Sequence, residues 1–212
     1  MKALIIGASS EKSIGYHIGE RMRRRNHHVA YASRSGSLGF QCDITDPVAV
    51  QNLVDREQPN VFVHAAGLAL RTSPEDTSEV NWADVVDHLA AKSVGPLTML
   101  EAARRVASVT HFVSLGGREM FEDPRLGAYA VANGALWAAT QFISLHMKAW
   151  KAYYIDMPLV LGTGHAEDLV QAGLHTGAER AMGIPISDVV EAFDRILEGS
   201  ITPGRVMLSA QN

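Results

Sequence analysis

The feature that most constrains the fold is a regular alternation of short, almost wholly apolar segments with longer segments of helical periodicity. The apolar segments, which predict strands, lie at 3–6, 28–33, 61–65, 111–115 and 152–156. The helical segments lie at 14–25, 47–57, 82–106, 128–148 and 187–198. Strands that are apolar on both faces are typical of a parallel sheet covered by helices on each side. The sequence therefore predicts an α/β fold with a doubly wound parallel sheet.

The ends of the segments and the absence of internal boundaries add to this prediction. Asp46 before Pro47 predicts a capped helix start, and Ser187 predicts a second cap. The 212 residues contain no repeat, low-complexity tract or long linker. We therefore expect one Rossmann-type domain of three layers over 1–212, with a short substrate lid near 163–187.

Composition excludes several classes of protein. Lys plus Arg number 19 and Asp plus Glu 23, a formal charge of −4, which argues against a nucleic-acid or anionic-lipid binder. The single cysteine, Cys42, excludes an intrachain disulfide framework and a Cys-rich zinc site. No apolar run reaches the roughly 18–20 residues that span a bilayer. The apolar stretch near residue 1 is too short for a secretory signal. A cytoplasmic protein is expected, without nucleic-acid or membrane partners.

The loop after the first strand is the first candidate for ligand binding, because parallel sheets bind ligands beyond the carboxyl ends of their strands. It runs from Gly7 to Gly15 through Ser9, Ser13 and Ile14. Small residues let the backbone approach a pyrophosphate, and the following helix start offers N–H groups. The spacing is not GxGxxG, so an ordinary strand-to-helix turn is the alternative.

Three further segments follow strands at the same predicted edge. Arg34 follows the second strand, where arginine suits a 2′-phosphate, which favours NADP(H); a solvated turn arginine is the alternative. Asp43, before Ile44, either accepts from an adenine amine or serves its turn. Ala65, Ala66 and Gly67 put small residues where a nucleotide would pass. His64 is more typical of a packed strand end than of a metal ligand, and no histidine spacing indicates a metal site.

Four residues from three parts of the sequence are candidates for an acid–base site. Tyr129 and Asn133 lie four apart on a predicted helix and share a face. Lys92 lies upstream, and Ser114 lies near the end of the fifth strand. A phenol titrates near ~10, and a nearby ammonium lowers that pKa, so Tyr129 is a candidate proton donor. Without such a partner, an aromatic residue at a helix start serves packing.

These segments together resemble the short-chain dehydrogenases/reductases. The stretch from Tyr129 to Leu136 is similar to the YAAANAxL segment of ketoreductase domains of polyketide and fatty-acid synthases. Lys92–Gly95 is similar to their KxxG, Ser33–Gly36 to their SRxG, and His64–Gly67 to their HAAG. In those domains the lysine and asparagine of the usual tetrad exchange places, as Lys92 and Asn133 do here.

The resemblance implies roles for these residues. Tyr129 would be the proton donor, Lys92 the ammonium beside it, Ser114 the donor to the carbonyl oxygen, and Asn133 a partner of the proton relay. The loop that begins at Gly7 has the spacing Gly-x5-Ser-Ile, which is closer to that of the enoyl-reductase branch of the family. This similarity implies that Ser13 and Ile14 contact the pyrophosphate.

Two departures from the family pattern keep alternatives open. Ser114 lies fifteen residues before Tyr129, two more than usual, so a structural hydroxyl is the alternative. The segment from Pro158 to Thr163 matches Pro-Gly-x-Val-x-Thr only in part, because Leu159 replaces glycine; the backbone of Leu161 and the hydroxyl of Thr163 would face the cofactor.

The function expected is an NADP(H)-dependent carbonyl reductase acting on a small-molecule or carrier-tethered ketone or alcohol, without a metal. Two rivals stay open: an NADP-binding sensor without turnover, and a non-redox acid–base enzyme on the same scaffold. A homodimer or homotetramer is compatible with the long helix at 128–148.

Overall fold

The computed structural model describes residues 1–67, 82–117, 127–164, 166–167 and 183–209. The strands in chain order are β1 (Lys2–Ile6), β2 (His28–Ser33), β3 (Phe40–Gln41), β4 (Val61–His64), β5 (His111–Gly117), β6 (Lys151–Met157), β7 (Val160–Leu161), β8 (Ile184–Pro185) and β9 (Gly204–Met207). The helices are α1 (Ile14–Arg24), α2 (Pro47–Glu57), α3 (Trp82–Leu89), α4 (Gly95–Ala103), α5 (Gly127–His146) and α6 (Ile186–Leu197), with a π-helical turn (Ala90–Val94) joining α3 to α4.

The main sheet is parallel throughout and has the order β3-β2-β1-β4-β5-β6-β9. From β1 the chain first moves outward to β2 and β3, and then returns to place β4 on the other side of β1. Ile6, at the end of β1, is paired with Ala32 of β2 and with His64 of β4. This reversal of strand order opens a cleft at the carboxyl ends of β1 and β4, where such sheets bind ligands.

The core lies on both faces of this sheet. One hydrophobic cluster includes Leu4, Phe62 and Phe112 and packs against α2, α4 and α5. The other includes Ile5 and Val63 from the opposite faces of the same strands and packs against α1 and α6. Burial on both sides explains why the strand segments are continuously apolar, and the predicted doubly wound α/β sheet is confirmed.

Local sequence explains how the helices begin. Asp46 caps α2 through its carboxylate, which accepts from the N–H groups of Val48 and Ala49, and Pro47 occupies the first turn, as predicted. The predicted cap Ser187 is wrong. Pro185, with extended backbone, precedes α6, and Ser187 lies inside that helix with its hydroxyl directed at Asp188.

The segment predicted as one helix at 82–106 is divided by the π-helical turn, in which the N–H of Gly95 donates to the carbonyl of Ala90. Pro96 follows directly and contributes no N–H. β5 also continues two residues beyond its predicted end, to Gly117. Both differences place residues at the carboxyl edge of the sheet, where the candidate site lies.

Candidate functional site

Gly7 forms the floor of the cleft between β1 and β4. Its φ is +113°, and a Cβ at this position would lie 2.3 Å from the carbonyl carbon of Ala65 and from the nitrogen of Ala66. Its N–H donates to the carbonyl of Ala32 at 2.8 Å. Only glycine fits this backbone, because any side chain would overlap the backbone that follows β4.

The start of α1 faces the same cleft. Ser13 caps the helix: its hydroxyl donates to the carbonyl of Ser10 at 2.6 Å and accepts from the N–H of Tyr16 at 3.4 Å. The first turn carries no acidic side chain. The partial positive charge of the helix start is therefore not opposed locally, which favours an anion there.

Two adjoining cavities occupy the cleft, and Gly7, Ser9 and Gly67 line both of them. The first, about 260 Å³, lies beside the end of β2 and is called the β2-side cavity. The second, about 290 Å³, reaches the end of β5 and is called the β5-side cavity. Together they form a continuous groove across the strand-order reversal.

The β2-side cavity combines a cation with a row of hydroxyl groups. Arg34 is exposed on its wall. The Ser35 hydroxyl lies 3.2 Å from that of Ser33 and 2.6 Å from that of Ser37, and the N–H of Gly36 donates to Ser33 at 3.1 Å. Guanidinium, hydroxyl and backbone N–H groups are the donors that bind phosphates.

Asp43, Ile44 and Ala66 also line the β2-side cavity. Asp43 Oδ1 accepts from the backbone N–H of Thr45 at 2.9 Å and from its hydroxyl at 2.7 Å. The backbone hydrogen bond from Thr45 is the main cause that lowers the pKa of Asp43, and Arg34 adds to it. Asp43 therefore serves its turn and also presents an ionised carboxylate to the cavity.

Lys92 lines the β5-side cavity from the π-helical turn, together with Ser13, Ile14, Ala65 and Thr163. The lysine side chain is buried, and its Nζ donates to the carbonyl of Leu115 at 3.0 Å. Burial lowers the pKa of Lys92 to about 8. A π-helical turn that carries a buried charged side chain into a cleft is typical of functional sites.

Tyr129, in the first turn of α5, lines the same cavity opposite Gly117. A Cβ on Gly117 would lie 3.0 Å from Tyr129 Oη and 3.3 Å from Asn133 Nδ2, so the strand end, the phenol and the amide are close together. Asn133 Nδ2 donates to the carbonyl of Tyr129 at 3.1 Å. Of the predicted helical pair, Tyr129 therefore lines the cavity, and Asn133 lies beside it in the next turn of α5.

Burial sets the ionisation of the phenol. It raises the pKa of Tyr129, against a hydrogen bond with the Asn133 side chain that lowers it. We expected the Lys92 ammonium to lower this pKa; the pKa is instead raised, with burial as the largest cause, so Tyr129 is protonated at neutral pH. The buried ring of His88 packs edge-on against Tyr129, with centroids 5.9 Å apart and planes at 89°.

Two residues expected in the site lie elsewhere. Ser114 is buried within β5, and its hydroxyl accepts from Thr140 of α5 at 2.9 Å, whereas Leu115, Gly116 and Gly117 line the cavity. The alternation of side chains along a strand explains why Ser114 faces α5 rather than the strand's end. Leu161 is paired with Pro185 in the short β7–β8 ladder, and Leu159 and Val160 line the cavity instead.

Thr163 does line the β5-side cavity, and its hydroxyl is engaged locally. It donates to the carbonyl of Val160 at 2.8 Å and accepts from the N–H of Ala166 at 3.1 Å. The predicted lid near 163–187 falls mostly outside the described residues. Glu167 is described, and its carboxylate forms a salt bridge with Lys12 of the β1–α1 loop at 2.7 Å.

Sequence reasoning missed Gly117 and His88. Gly117 could have been found by extending β5 through Leu115-Gly116-Gly117 until the strand meets the helix that carries Tyr129. His88 carries no sequence signal, because one buried histidine in an amphipathic helix is an ordinary feature.

The described residues indicate neither a metal site nor a membrane-spanning helix. Within the described ranges, no group of three or more His, Cys, Asp or Glu side chains could hold a metal ion. None of the helices searched in those ranges combines the length and the apolar character needed to cross a membrane.

Comparison with known proteins agrees with this geometry. The model of the NAD dependent epimerase/dehydratase family matches residues 3–134. In sequence, no curated protein matches the chain.

Solved structures share the fold over nearly the whole chain. An alcohol dehydrogenase from the archaeon Thermococcus sibiricus, complexed with 5-hydroxy-NADP, has 15% identity and a TM-score of 0.75, covering 100% of this chain and 98% of its own. An enoyl-[acyl-carrier-protein] reductase (NADH) from Aquifex aeolicus has 14% identity and a TM-score of 0.71, covering 98% and 94%. A ribose-5-phosphate isomerase from Brucella melitensis has 16% identity and a TM-score of 0.79, covering 98% and 90%. At these identities the likeness concerns the fold alone.

Proposed function

The chain belongs to the NAD dependent epimerase/dehydratase family, and we propose that it is an NADP(H)-dependent carbonyl reductase. The observation that carries the proposal is the convergence of Tyr129 and Lys92 on the β5-side cavity, which forms one groove with the β2-side cavity. A phenol and a buried amine at the carboxyl edge of such a sheet are the groups that proton transfer to a carbonyl oxygen requires.

The residues of the groove fit a nicotinamide dinucleotide. A Cβ on Gly7 would fill the floor between β1 and β4, and the start of α1 offers N–H groups without an opposing carboxylate. When bound, such a cofactor supplies or accepts a hydride. The residues that would hold it are Gly7, Ser9, Ser13, Ile14, Arg34, Asp43, Ile44, Ala65, Ala66, Gly67 and Thr163.

The preference for NADP(H) rests on the β2-side cavity. Arg34 forms no salt bridge with an acidic side chain in the described parts of the chain, and Ser33 and Ser35 line the same cavity. This arrangement suits the two negative charges of a 2′-phosphate. The alternative ligand, a ribose 2′-hydroxyl, is usually bound by an acidic residue at this strand end.

Tyr129 acts as the proton donor. Burial raises its pKa, so the phenol carries its proton at neutral pH and can donate it to an oxygen that gains negative charge. Asn133, whose side chain hydrogen-bonds the phenol, stabilises the phenolate that remains. Lys92, with a pKa of about 8, is mostly charged at pH 7 and provides the positive charge in the same cavity.

A panel of ketones tested with NADPH examines this proposal directly. With any ketone that is reduced, Tyr129→Phe should lower the rate by ~10²–10⁴-fold, because general acid catalysis contributes about that much. Tyr153→Phe is the matched control: Tyr153 is a buried tyrosine on the other face of the sheet, and its hydroxyl donates to the carbonyl of Ile201. Full activity of Tyr129→Phe would contradict the assigned role.

A second candidate is an NADP-binding sensor without turnover. It is favoured by one observation: β5 brings Gly117, rather than a hydroxyl group, to Tyr129, while Ser114 is bonded to Thr140. Tight NADPH binding together with no cofactor oxidation across the panel would favour the sensor. Conversion of a substrate without any change in nicotinamide absorbance would favour non-redox acid–base chemistry.

The remaining expectations complete the proposal. The chain works in the cytoplasm as one domain, with a short lid near 163–187 that admits a bulky or carrier-tethered ketone. It forms a homodimer or homotetramer through the exposed apolar side chains Val131, Phe142 and Leu145 of α5. Light scattering tests the assembly, and Phe142→Glu should yield monomers if this face is the interface.

A further inference from the structure

The π-helical turn and the proline that follows it leave the backbone carbonyl of Ala91 without a helical partner. In this turn the N–H of Gly95 donates to the carbonyl of Ala90, so it does not serve Ala91. The residue five positions after Ala91 is Pro96, which has no N–H. Neither the α-helical nor the π-helical hydrogen bond is therefore available to the carbonyl of Ala91. A buried carbonyl without a partner is costly.

His64 supplies the missing donor. Its Nε2 lies 2.8 Å from the carbonyl oxygen of Ala91, and the side chain has no exposed surface. Because a carbonyl only accepts, Nε2 must carry the proton. Burial lowers the pKa of His64 to about 3, so the ring is neutral at all working pH values. Nδ1 is buried and finds no partner in the part of the chain that the structure describes.

This hydrogen bond joins the last residue of β4 to the turn that carries Lys92. Lys92 directly follows Ala91, and its Nζ must cross to the carbonyl of Leu115 on β5. If the turn relaxed to α-helical geometry, the direction of each following side chain would change by as much as one residue's rotation, about 100°. The position of the amine therefore depends on the turn.

We propose that His64 is the positioning residue for Lys92: by donating to the carbonyl that Pro96 leaves unpaired, it fixes the π-helical turn and aims the amine into the β5-side cavity. The inference rests on the proposed function only for the role of Lys92 in turnover. Its structural content, a histidine that sets the place of a lysine, can be measured without cofactor or substrate.

The quantity to measure is the pKa of the Lys92 amine, because it reports on the surroundings of that amine. Other titratable groups that line its cavity are Tyr129 from α5 and Lys12 from the β1–α1 loop, and Asp87 lines the adjoining cavity. The experiment uses the full chain labelled with ¹³C at lysine Cε, followed by NMR against pH. The lysines are Lys2, Lys12, Lys92, Lys148 and Lys151, and the Lys92 signal is the one missing from Lys92→Met.

In the unaltered chain Lys92 should titrate near pH 8. His64→Leu removes the donor, and the amine should become better solvated, so its titration should rise by about one pH unit or more. His64→Gln keeps an N–H near the Nε2 position and should restore the original value. His111→Leu is the matched control, since His111 is also buried but stacks on Tyr153. An unchanged Lys92 titration in folded His64→Leu would overturn the proposal.

Pro96→Ala provides a second test that does not depend on His64→Leu folding alone. Alanine returns an N–H five residues after Ala91, which can donate to that carbonyl in π-helical register. In the Pro96→Ala background, His64→Leu should fold and should leave the Lys92 titration near its original value. An equal shift in both backgrounds, or a double variant that does not fold, would refute the unpaired-carbonyl argument.

These outcomes are separate from the proposed activity. If Lys92 responds to His64 as stated but no ketone is reduced, the positioning inference stands and the reductase proposal fails. If ketones are reduced but the Lys92 titration does not respond to His64→Leu, the reductase proposal stands and the positioning inference fails.

Discussion

Replacement of Lys92 by methionine tests the buried amine through folding stability. Methionine has a similar length and no charge. The pKa of Lys92 is about 8 in the folded chain, against an ordinary value of 10.5. The unfolded chain therefore binds this proton more tightly. The free energy of unfolding of the unaltered protein consequently increases as the pH rises from about 8 to 10.5, where the folded chain has already lost the Lys92 proton.

The size of the effect follows from the two pKa values. One pKa unit corresponds to about 1.4 kcal/mol. At pH 7 the protonation cost is roughly 3 kcal/mol, offset by roughly 1 kcal/mol for the hydrogen bond to the carbonyl of Leu115. Lys92→Met should therefore be more stable than the unaltered chain at pH 7, by roughly 2 kcal/mol. Between pH 7 and pH 10 this advantage should shrink by roughly 2.5 kcal/mol.

Urea unfolding at pH 7 and pH 10, at equal ionic strength, measures both differences. Lys148→Met is the control, because Lys148 is exposed; its effect on stability should be small and the same at both pH values. A stability difference between Lys92→Met and the unaltered chain that does not change with pH would refute the reasoning. It would mean that the Lys92 amine is solvated.

Three further predictions concern the groove and the edge of the sheet. Gly7→Ala should abolish dinucleotide binding and lower the free energy of unfolding by about 1–3 kcal/mol, because its Cβ would overlap Ala65; urea unfolding and cofactor titration measure these effects, and unaltered binding would contradict the account. Arg205→Met should destabilise the fold by roughly 3 kcal/mol, because it removes the ion pair and hydrogen bonds that Arg205 makes with the buried carboxylate of Asp156; a change below about 0.5 kcal/mol in urea unfolding would disprove it. The rate of ketone reduction should fall as the pH rises above about 8, where Lys92 loses its charge; a rate that increases between pH 7 and pH 9 would count against the role of that charge.

The sequence was sufficient for the sheet and for much of the groove. β2 and α2 have the bounds predicted, because apolar runs buried on both faces and a capped helix start are local signals. The spacing predicts that Tyr129 and Asn133 share a helix face, and the family resemblance predicts Lys92 on a neighbouring helix; their catalytic roles stay predictions. That Lys92 and Tyr129 line one cavity depends on the strand order, which the alternation of strands and helices does not specify.

Ser114 lies away from the β5-side cavity, which fits the structural hydroxyl that the sequence left open as the alternative. β5 continues to Gly117, so the hydroxyl of Ser114 lies three residues before the strand's end and points to Thr140. The sequence signal for a strand's end is weak where glycines follow it. The residue that meets Tyr129 is therefore a glycine, which no search for catalytic side chains would select.

The π-helical turn was invisible for a different reason. Pro96 reads as an ordinary residue of a helical first turn, and nothing local indicates that the carbonyl of Ala91 needs a donor. The donor is His64, which lies on another strand. Only the tertiary structure brings together an unpaired carbonyl and a buried imidazole, and with them the position of Lys92.

The most direct test of the account is a fluorescence titration of the protein with NADPH and with NADH, repeated with Arg34→Ala. The account predicts that NADPH binds more tightly than NADH and that Arg34→Ala weakens NADPH binding by roughly 10–100-fold, the value of a charge-assisted contact of about 1.5–3 kcal/mol. NADH binding should change by less than about twofold, since NADH has no 2′-phosphate for Arg34 to contact. Failure of both cofactors to bind would contradict the central claim, because the groove between β1 and β4 would then hold another ligand.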